Sequence, residues 1–304
     1  MTEEKESTED RSTRRLVVVT GASSGIGLAA AVALARRGDR LALVGRDPDR
    51  LRSAGEEVHE AAGERPELFQ ADFAVLDDVR GLAERLRAAY ERIDVLANNA
   101  GAIALRPART VDGFELTIQA NHLAPFLLSN LLADRIGRMV VTASRVHRGD
   151  LNPDDLNAAL NRYRSMRAYA TSKQANILFA AEAARRWPDV PAYSFHPGVV
   201  RTRFGSDSPV HGIYSRLMPL RSPEQGAETL IWLATQDPAR LTNGAYHHNR
   251  QPHRAHRTAT DPTLAARLWE ASARAVGITP GSSDQVDAPD PVTAPAESDQ
   301  GSLG

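Results

Sequence analysis

The chain has no cysteine, which excludes disulfide bonds, a thiolate nucleophile and a cysteine zinc site, and it fits a reducing compartment. An excess of charge of one sign is missing too. A formal net charge of -1 over 304 residues offers no global attraction to nucleic acid or to an anionic membrane. No apolar run approaches the roughly eighteen residues that a bilayer-spanning helix needs. The polar stretch Met1 to Arg15 lacks the apolar segment of a signal peptide. A cytoplasmic protein with no membrane and no nucleic-acid partner is the expectation.

What is present is a repeated alternation of short apolar strands and amphipathic helices. Strands are predicted at Leu16–Thr20, Arg40–Val44, Glu67–Ala71, Ile93–Ala97, Met139–Ala143, Val190–Phe195 and Ala245–His247. Helices are predicted at Gly25–Arg37, from Asp47 or Pro48, and at Leu76–Tyr90, Phe114–Ile136, Ser165–Arg186, Pro223–Thr235 and Asp261–Val276. Near-continuous apolar strands between helices imply a parallel sheet covered on both faces, an α/β doubly wound architecture. No proline- or glycine-rich linker divides residues 14–277, so one domain is expected there. Residues 1–13 and 278–304 read as tails. The latter holds acids, prolines and small polar residues with no base and no aromatic, too little apolar surface to offset the entropy of ordering it.

The first strand runs into Thr20-Gly-Ala-Ser-Ser-Gly-Ile-Gly27. Glycines at 21, 25 and 27 allow a tight turn and close backbone approach to a pyrophosphate at a helix amino terminus, with Ser23, Ser24 and Ile26 between them. No Lys-Ser or Lys-Thr follows, which disfavours a nucleotide triphosphatase loop. At the end of the second strand Gly45 offers no carboxylate to ribose hydroxyls, whereas Arg46 is placed to meet a 2'-phosphate. Asp47 complicates that reading unless it caps the next helix. Asp72, followed by Phe73, is placed at the adenine edge. Asn98-Asn99-Ala100-Gly101 leaves the fourth strand at the crevice outside the carboxyl ends. NADP(H) is the preferred cofactor, with NAD(H) left open.

Tyr169 and Lys173 lie four apart in Tyr-Ala-Thr-Ser-Lys, one turn apart on one helix face. A phenol of pKa about 10 is a poor acid near neutrality, and a neighbouring ammonium favours the phenolate. Ser144 ends the fifth strand and would open into the same crevice, where serine and tyrosine hydroxyls can both donate to one substrate oxygen. Asn121 is a candidate to position the lysine through an ordered water. Asn121, Ser144, Tyr169 and Lys173 are the candidate catalytic set.

These blocks, read together, resemble the short-chain dehydrogenase/reductase family over about Arg14 to Gly277. The resemblance implies a single-domain Rossmann fold with a mostly seven-stranded parallel sheet. It implies Tyr169 as general acid/base, Ser144 polarising the carbonyl, Asn121 maintaining a water-linked proton relay and the pro-S hydride as the one transferred. It also implies nicotinamide contacts from His196-Pro-Gly-Val-Val-Arg-Thr202: Pro197, Gly198, Val199 and, at the carboxamide, Thr202. A narrower similarity is to the retinol dehydrogenase and WW-domain oxidoreductase branch, which includes bacterial ketoreductases of the daunorubicin type. It rests on Tyr169 to Phe179, His196 to Thr202 and Leu268-Trp-Glu-Ala-Ser272.

The implied activity is NADPH-dependent reduction of a ketone or aldehyde of a small hydrophobic or polyketide-like metabolite. A non-net-redox tailoring reaction or epimerisation at the same site is the alternative, and a non-catalytic dinucleotide-binding protein the lesser one. The expected partner is a small carbonyl or alcohol substrate, and a homodimer stays open. The run from His247 to Arg257 invites a metal or nucleic-acid reading, but without a carboxylate partner or aromatic platform it reads as a solvated or substrate-proximal loop. His122 and His147 adjoin Asn121 and Ser144, and the mechanism needs neither.

Overall fold

The computed structural model describes residues 14–200 and 220–279. Thr202, the segment 204–219, residues 1–13 and residues 280–304, on which several expectations above fall, lie outside the described residues. Strands β1 (Leu16–Thr20), β2 (Arg40–Gly45), β3 (Glu67–Gln70), β4 (Val95–Asn98), β5 (Met139–Thr142), β6 (Ala192–Phe195), β7 (Tyr246–His248) and β8 (Gln251–Pro252) form one sheet in the order β3-β2-β1-β4-β5-β6-β7-β8. All neighbours are parallel except β7 and β8. The chain winds outward from β1 in one direction and then from β4 in the other. The switch between them opens a crevice at the carboxyl ends, where α/β sheets bind ligands.

Period-two alternation sends successive β1 side chains to opposite faces. Val17 and Val19 pack with Leu43, Ala97, Val140 and Phe195 under α1 (Gly25–Ala35), α2 (Pro48–Ala62) and α7 (Pro223–Thr235). Val18 packs with Val44, Leu96 and Val141 under α3 (Leu76–Ala89), α5 (Ala124–Leu131), α6 (Ser165–Arg186) and α8 (Pro262–Val276). On that second face Trp269 meets Phe126 at 5.0 Å, Trp187 at 5.3 Å and Phe179 at 5.9 Å between ring centroids.

Local chemistry sets most helix ends. The Asp47 carboxylate accepts from the Asp49 and Arg50 amides, Asp261 from those of Thr263 and Leu264, and Ser222 with Gln225 closes a capping box. Proline follows each cap at the first helical position, where its missing N–H costs nothing.

Three elements differ from the sequence expectation. β3 is an edge strand with only Phe69 of its four residues buried. An eighth strand closes a hairpin with β7 through Asn249 and Arg250, both with positive φ (50° and 61°). The helix expected over 114–136 is broken. A short α4 (Leu116–Ile118) passes into a π turn at Gln119–Leu123 before α5, and Ile136 instead pairs with Ile93. Pro125 supplies the physical reason. It has no N–H to give to the Asn121 carbonyl in α register, and the chain widens so that the Ala124 amide reaches Gln119 instead.

Candidate active site

Strand register aligns the site. Thr20 pairs with Val44, Asn98 with Val141 and Thr142 with Phe195, so the glycine loop, Gly45, the Asn98–Gly101 block, Ser144 and His196 emerge along one edge. Gly21 and Gly25 have φ of 66° and 59°, in the left-handed region. A Cβ on Gly27 would lie 2.3 Å from the Gly21 carbonyl oxygen, and one on Gly21 would lie 2.8 Å from the Ala100 Cα. The loop therefore packs directly on the Asn98–Gly101 block.

At the start of α1, Ser24 is the N-cap in extended conformation but makes no side-chain cap bond, and the first turn holds no acid. α2, α7 and α8 are capped by their own side chains; α1 alone among these four leaves its leading amides to another acceptor. An anionic pyrophosphate fits that end. Ser23 sits beside Gly45, with its Cβ 3.3 Å from where a Gly45 Cβ would stand.

Arg46 projects from the end of β2, three-quarters exposed, 4.0 Å from Asp72. An exposed pair at that distance is worth about 0–1 kcal/mol, so it leaves the guanidinium available to a stronger anion. Asp47, turned into α2, does not contend for the ribose position. Asp72 itself accepts from the Ala74 amide at 2.9 Å. Two predicted cofactor residues can meet a ligand only through backbone. The Phe73 side chain is buried in the core, and Asn98 is buried with its amide donating to Ser129 Oγ at 2.8 Å.

Asn99, which the sequence reading left out of the site, joins three strand ends. Its Nδ2 donates to the Thr20 carbonyl at 3.0 Å, its N–H to Thr20 Oγ1 at 3.0 Å, and its Oδ1 accepts from Thr142 Oγ1 at 3.3 Å. Adjacent asparagines at a strand end must face opposite ways; only the sheet says which one turns inward.

The catalytic candidates converge beside this crevice. Ser144 Oγ accepts from the Val146 amide at 3.1 Å, and the Ser144 hydroxyl hydrogen-bonds the Tyr169 phenol. Burial holds Tyr169 above the ordinary phenol range while that bond works to lower it. Lys173 is buried, with Nζ 5.7 Å from the Tyr169 ring centroid and donating to the Thr142 carbonyl at 2.9 Å. Burial brings its pKa down to about 7. Burial acts most strongly on both groups, and the bond from Ser144 works toward the phenolate.

Asn121 lies on the π turn. Its Nδ2 donates to the Ala102 carbonyl and to Ser172 Oγ, each at 2.9 Å, and its Oδ1 accepts from the Ala102 amide at 2.6 Å. Ser172 Oγ donates in turn to the Tyr169 carbonyl at 2.8 Å. The Asn121 side chain therefore braces α6 under Tyr169. Ser172 and Asn176, whose Nδ2 shares the Thr142 carbonyl at 3.1 Å, are further members that the motif reading did not single out.

Pro197, Gly198 and Val199 follow β6 at the same edge. Gly198 has φ of 88°, and the Val199 carbonyl accepts from the Arg221 amide at 2.8 Å. His122 lies in the core, its Nε2 2.8 Å from Ser272 Oγ, and burial drives its pKa to about 3. The histidine-rich segment is exposed over 249–254 and turns inward at its ends, where His247 and Ala255 are buried. His248 stacks on His196 at 3.7 Å, and Tyr246, just before the segment, donates to the Ser144 carbonyl at 3.0 Å. Among the described residues no group of three or more His, Asp or Glu is placed to hold a metal ion, and no helix is long and apolar enough to cross a membrane.

A parallel sheet with this switch point, a glycine loop on an uncapped helix and a serine–tyrosine–lysine cluster at the same edge define a nucleotide-dependent oxidoreductase. The chain belongs to the short-chain dehydrogenase family, whose model matches residues 15–209. A Streptomyces sp. (strain C5) protein that carries the provisional name daunorubicin C-13 ketoreductase DnrU is 53% identical, the match covering 87% of this chain and 93% of the relative. Human retinol dehydrogenase 13 is 34% identical, with 87% and 85% covered. A Shigella flexneri short chain dehydrogenase solved in complex with NADP is 26% identical at a TM-score of 0.58, with 76% and 95% covered.

Proposed function

We propose that the protein is an NADPH-dependent carbonyl reductase whose substrate is a ketone or aldehyde of a hydrophobic, polyketide-like metabolite. The observation that carries this reading is the hydrogen-bonded Ser144–Tyr169 pair beside the open amino terminus of α1. Gly21, Ser23, Ser24, Gly25, Ile26 and Gly27 hold the pyrophosphate, and the backbone of Asp72, Phe73 and Asn98–Gly101 lines the adenosine side. Pro197 to Val199 flank the nicotinamide, and the family resemblance assigns its carboxamide to Thr202, which lies outside the described residues. When bound, the nicotinamide supplies a hydride to the carbonyl carbon. Tyr169 and Ser144 donate to the carbonyl oxygen and stabilise its developing charge, and Tyr169 releases its proton to that oxygen to complete the alcohol. Lys173, near its titration point, returns a proton toward the phenol. Asn121 holds Tyr169 in register through Ser172, and its backbone carbonyl, which Pro125 cannot supply with an α-register N–H, is the acceptor proposed for the water of the proton relay.

Preference for NADPH rests on Arg46 at the end of β2, with the NADP-bound Shigella structure in support. The daunorubicin-type relative supports an aromatic polyketide ketone over retinal as substrate. The cysteine-free composition supports a cytoplasmic setting, and the catalytic domain spans 14–277. The test is incubation with (4S)-deuterated NADPH and, in parallel, an anthracycline bearing a side-chain ketone and all-trans-retinal. Deuterium at the new carbinol carbon, with one NADPH oxidised per alcohol formed and the anthracycline preferred, supports the reading. Product without net NADPH oxidation establishes the epimerising alternative instead.

A further inference from the structure

The segment carrying Ser144 has lost its strand partner. β5 ends at Thr142, and the last sheet bond is from the Ala143 amide to the Phe195 carbonyl at 2.7 Å. Beyond it, side chains hold the backbone. The Ser144 carbonyl faces two donors, His147 Nδ1 at 2.8 Å and the Tyr246 hydroxyl at 3.0 Å. A carbonyl only accepts, so Nδ1 carries the imidazole proton. His147 Nε2 is then the acceptor, and it takes the His256 amide at 3.0 Å. Both ring nitrogens have partners in one neutral tautomer and in no other protonation state.

The histidine-rich stretch is what makes this closure. Asn249 and Arg250 turn the chain back on itself in left-handed conformation, and the His253 amide pairs with the Tyr246 carbonyl at 2.7 Å. The returning strand delivers the His256 amide to His147, whose ring stands edge-on to Tyr246 at 5.3 Å. With its carbonyl held by two donors, the peptide plane after Ser144 is fixed. With Oγ accepting from Val146, the hydroxyl proton is directed toward Tyr169.

We propose that His147 and Tyr246 are positioning residues for Ser144: together with the His256 amide they clamp the Ser144 carbonyl and so aim its hydroxyl at the substrate oxygen. The proposal rests on the reading of Ser144 as catalytic. It gives the backbone that returns after β7 a task, delivery of the His256 amide to His147.

The experiment is a set of double-mutant cycles. His147→Phe, His147→Asn and Tyr246→Phe are made in the native and in the Ser144→Ala background, with kcat, KM, NADPH affinity and melting temperature measured for each. Loss of placement at a reacting group costs on the order of 10- to 100-fold in rate, so His147→Phe and Tyr246→Phe should lower kcat by about that factor. KM and NADPH affinity should hold within about twofold, and His147→Asn, whose amide can replace the Nδ1 donor, should recover most of the rate. In the Ser144→Ala background the same changes should have almost no further effect. Equal fold-losses in both backgrounds, or no loss in the native one, overturn the positioning role alone. Undiminished kcat in Ser144→Ala itself overturns the reading of Ser144. Should His147→Phe not fold, Tyr246→Phe, which removes a single oxygen, decides the matter.

Discussion

Replacing Lys173 with Met should stabilise the cofactor-free protein while abolishing turnover. The side chain is buried, its ammonium faces no carboxylate among the described residues, and it donates to the Thr142 carbonyl at 2.9 Å. Burial moves its pKa from the usual 10.5 to about 7. At 1.36 kcal/mol per pH unit of displacement that is a cost of about 4–5 kcal/mol below pH 7. Met keeps the apolar stem and carries no charge. Its loss of the hydrogen bond offsets about 1 kcal/mol, softened because Asn176 still donates to the same carbonyl. A net gain of about 3 kcal/mol at pH 6 is the expectation. The unfolded lysine keeps its proton up to about 10.5 and the folded one only to about 7. Between those values unfolding takes up a proton, so raising the pH favours the folded native enzyme. The advantage of Lys173→Met should therefore shrink from pH 7 upward and disappear by about pH 10. Urea unfolding of both proteins from pH 6 to 10 measures this, and the subtraction cancels every other titration. Parallel stability curves, or a variant less stable at pH 6, would refute the assignment of a strained, functionally retained lysine.

Arg46→Ala should weaken NADPH binding by about 1.5–3 kcal/mol and leave NADH binding unchanged by calorimetry; equal losses would make Arg46 structural. Gly27→Ala should lose both cofactors, because its Cβ would stand 2.3 Å from the Gly21 carbonyl oxygen; retained affinity by fluorescence titration would contradict the packed loop. Asp261→Ala should cost about 1 kcal/mol of stability through the amino terminus of α8, with kcat unchanged; a catalytic loss would contradict a purely structural cap.

Much of the fold was legible because local signals agreed with tertiary ones. Asp261-Pro262 and Gly277 bracket α8, Ser222-Pro223 with Gln225 opens α7, and apolar strands between them require a covered parallel sheet. The glycine loop and the tyrosine–lysine spacing were legible for the same reason: each needs a particular residue at a particular place. The break before Pro125 was legible but overlooked: the helix expected over 114–136 ran through an interior proline, which cannot donate in α register. Only the form of the break, a π turn at Asn121, depends on what it packs against. The β7–β8 hairpin was hidden because Asn249-Arg250 turns without the glycine that usually marks such a bend. The inward turn of Asn98, the outward turn of Asn99 and the aim of Lys173 at Thr142 are set by neighbouring strands, which no local pattern encodes.

The central claim, that Tyr169 delivers the proton to a carbonyl oxygen shared with Ser144, is tested most directly by single-turnover reduction with Tyr169→Phe. NADPH absorbance would be followed in stopped flow and cofactor affinity titrated in parallel. The account predicts NADPH binding close to native and a loss of nearly all turnover. Tyr169→Phe turning over at the native rate with NADPH bound would contradict it.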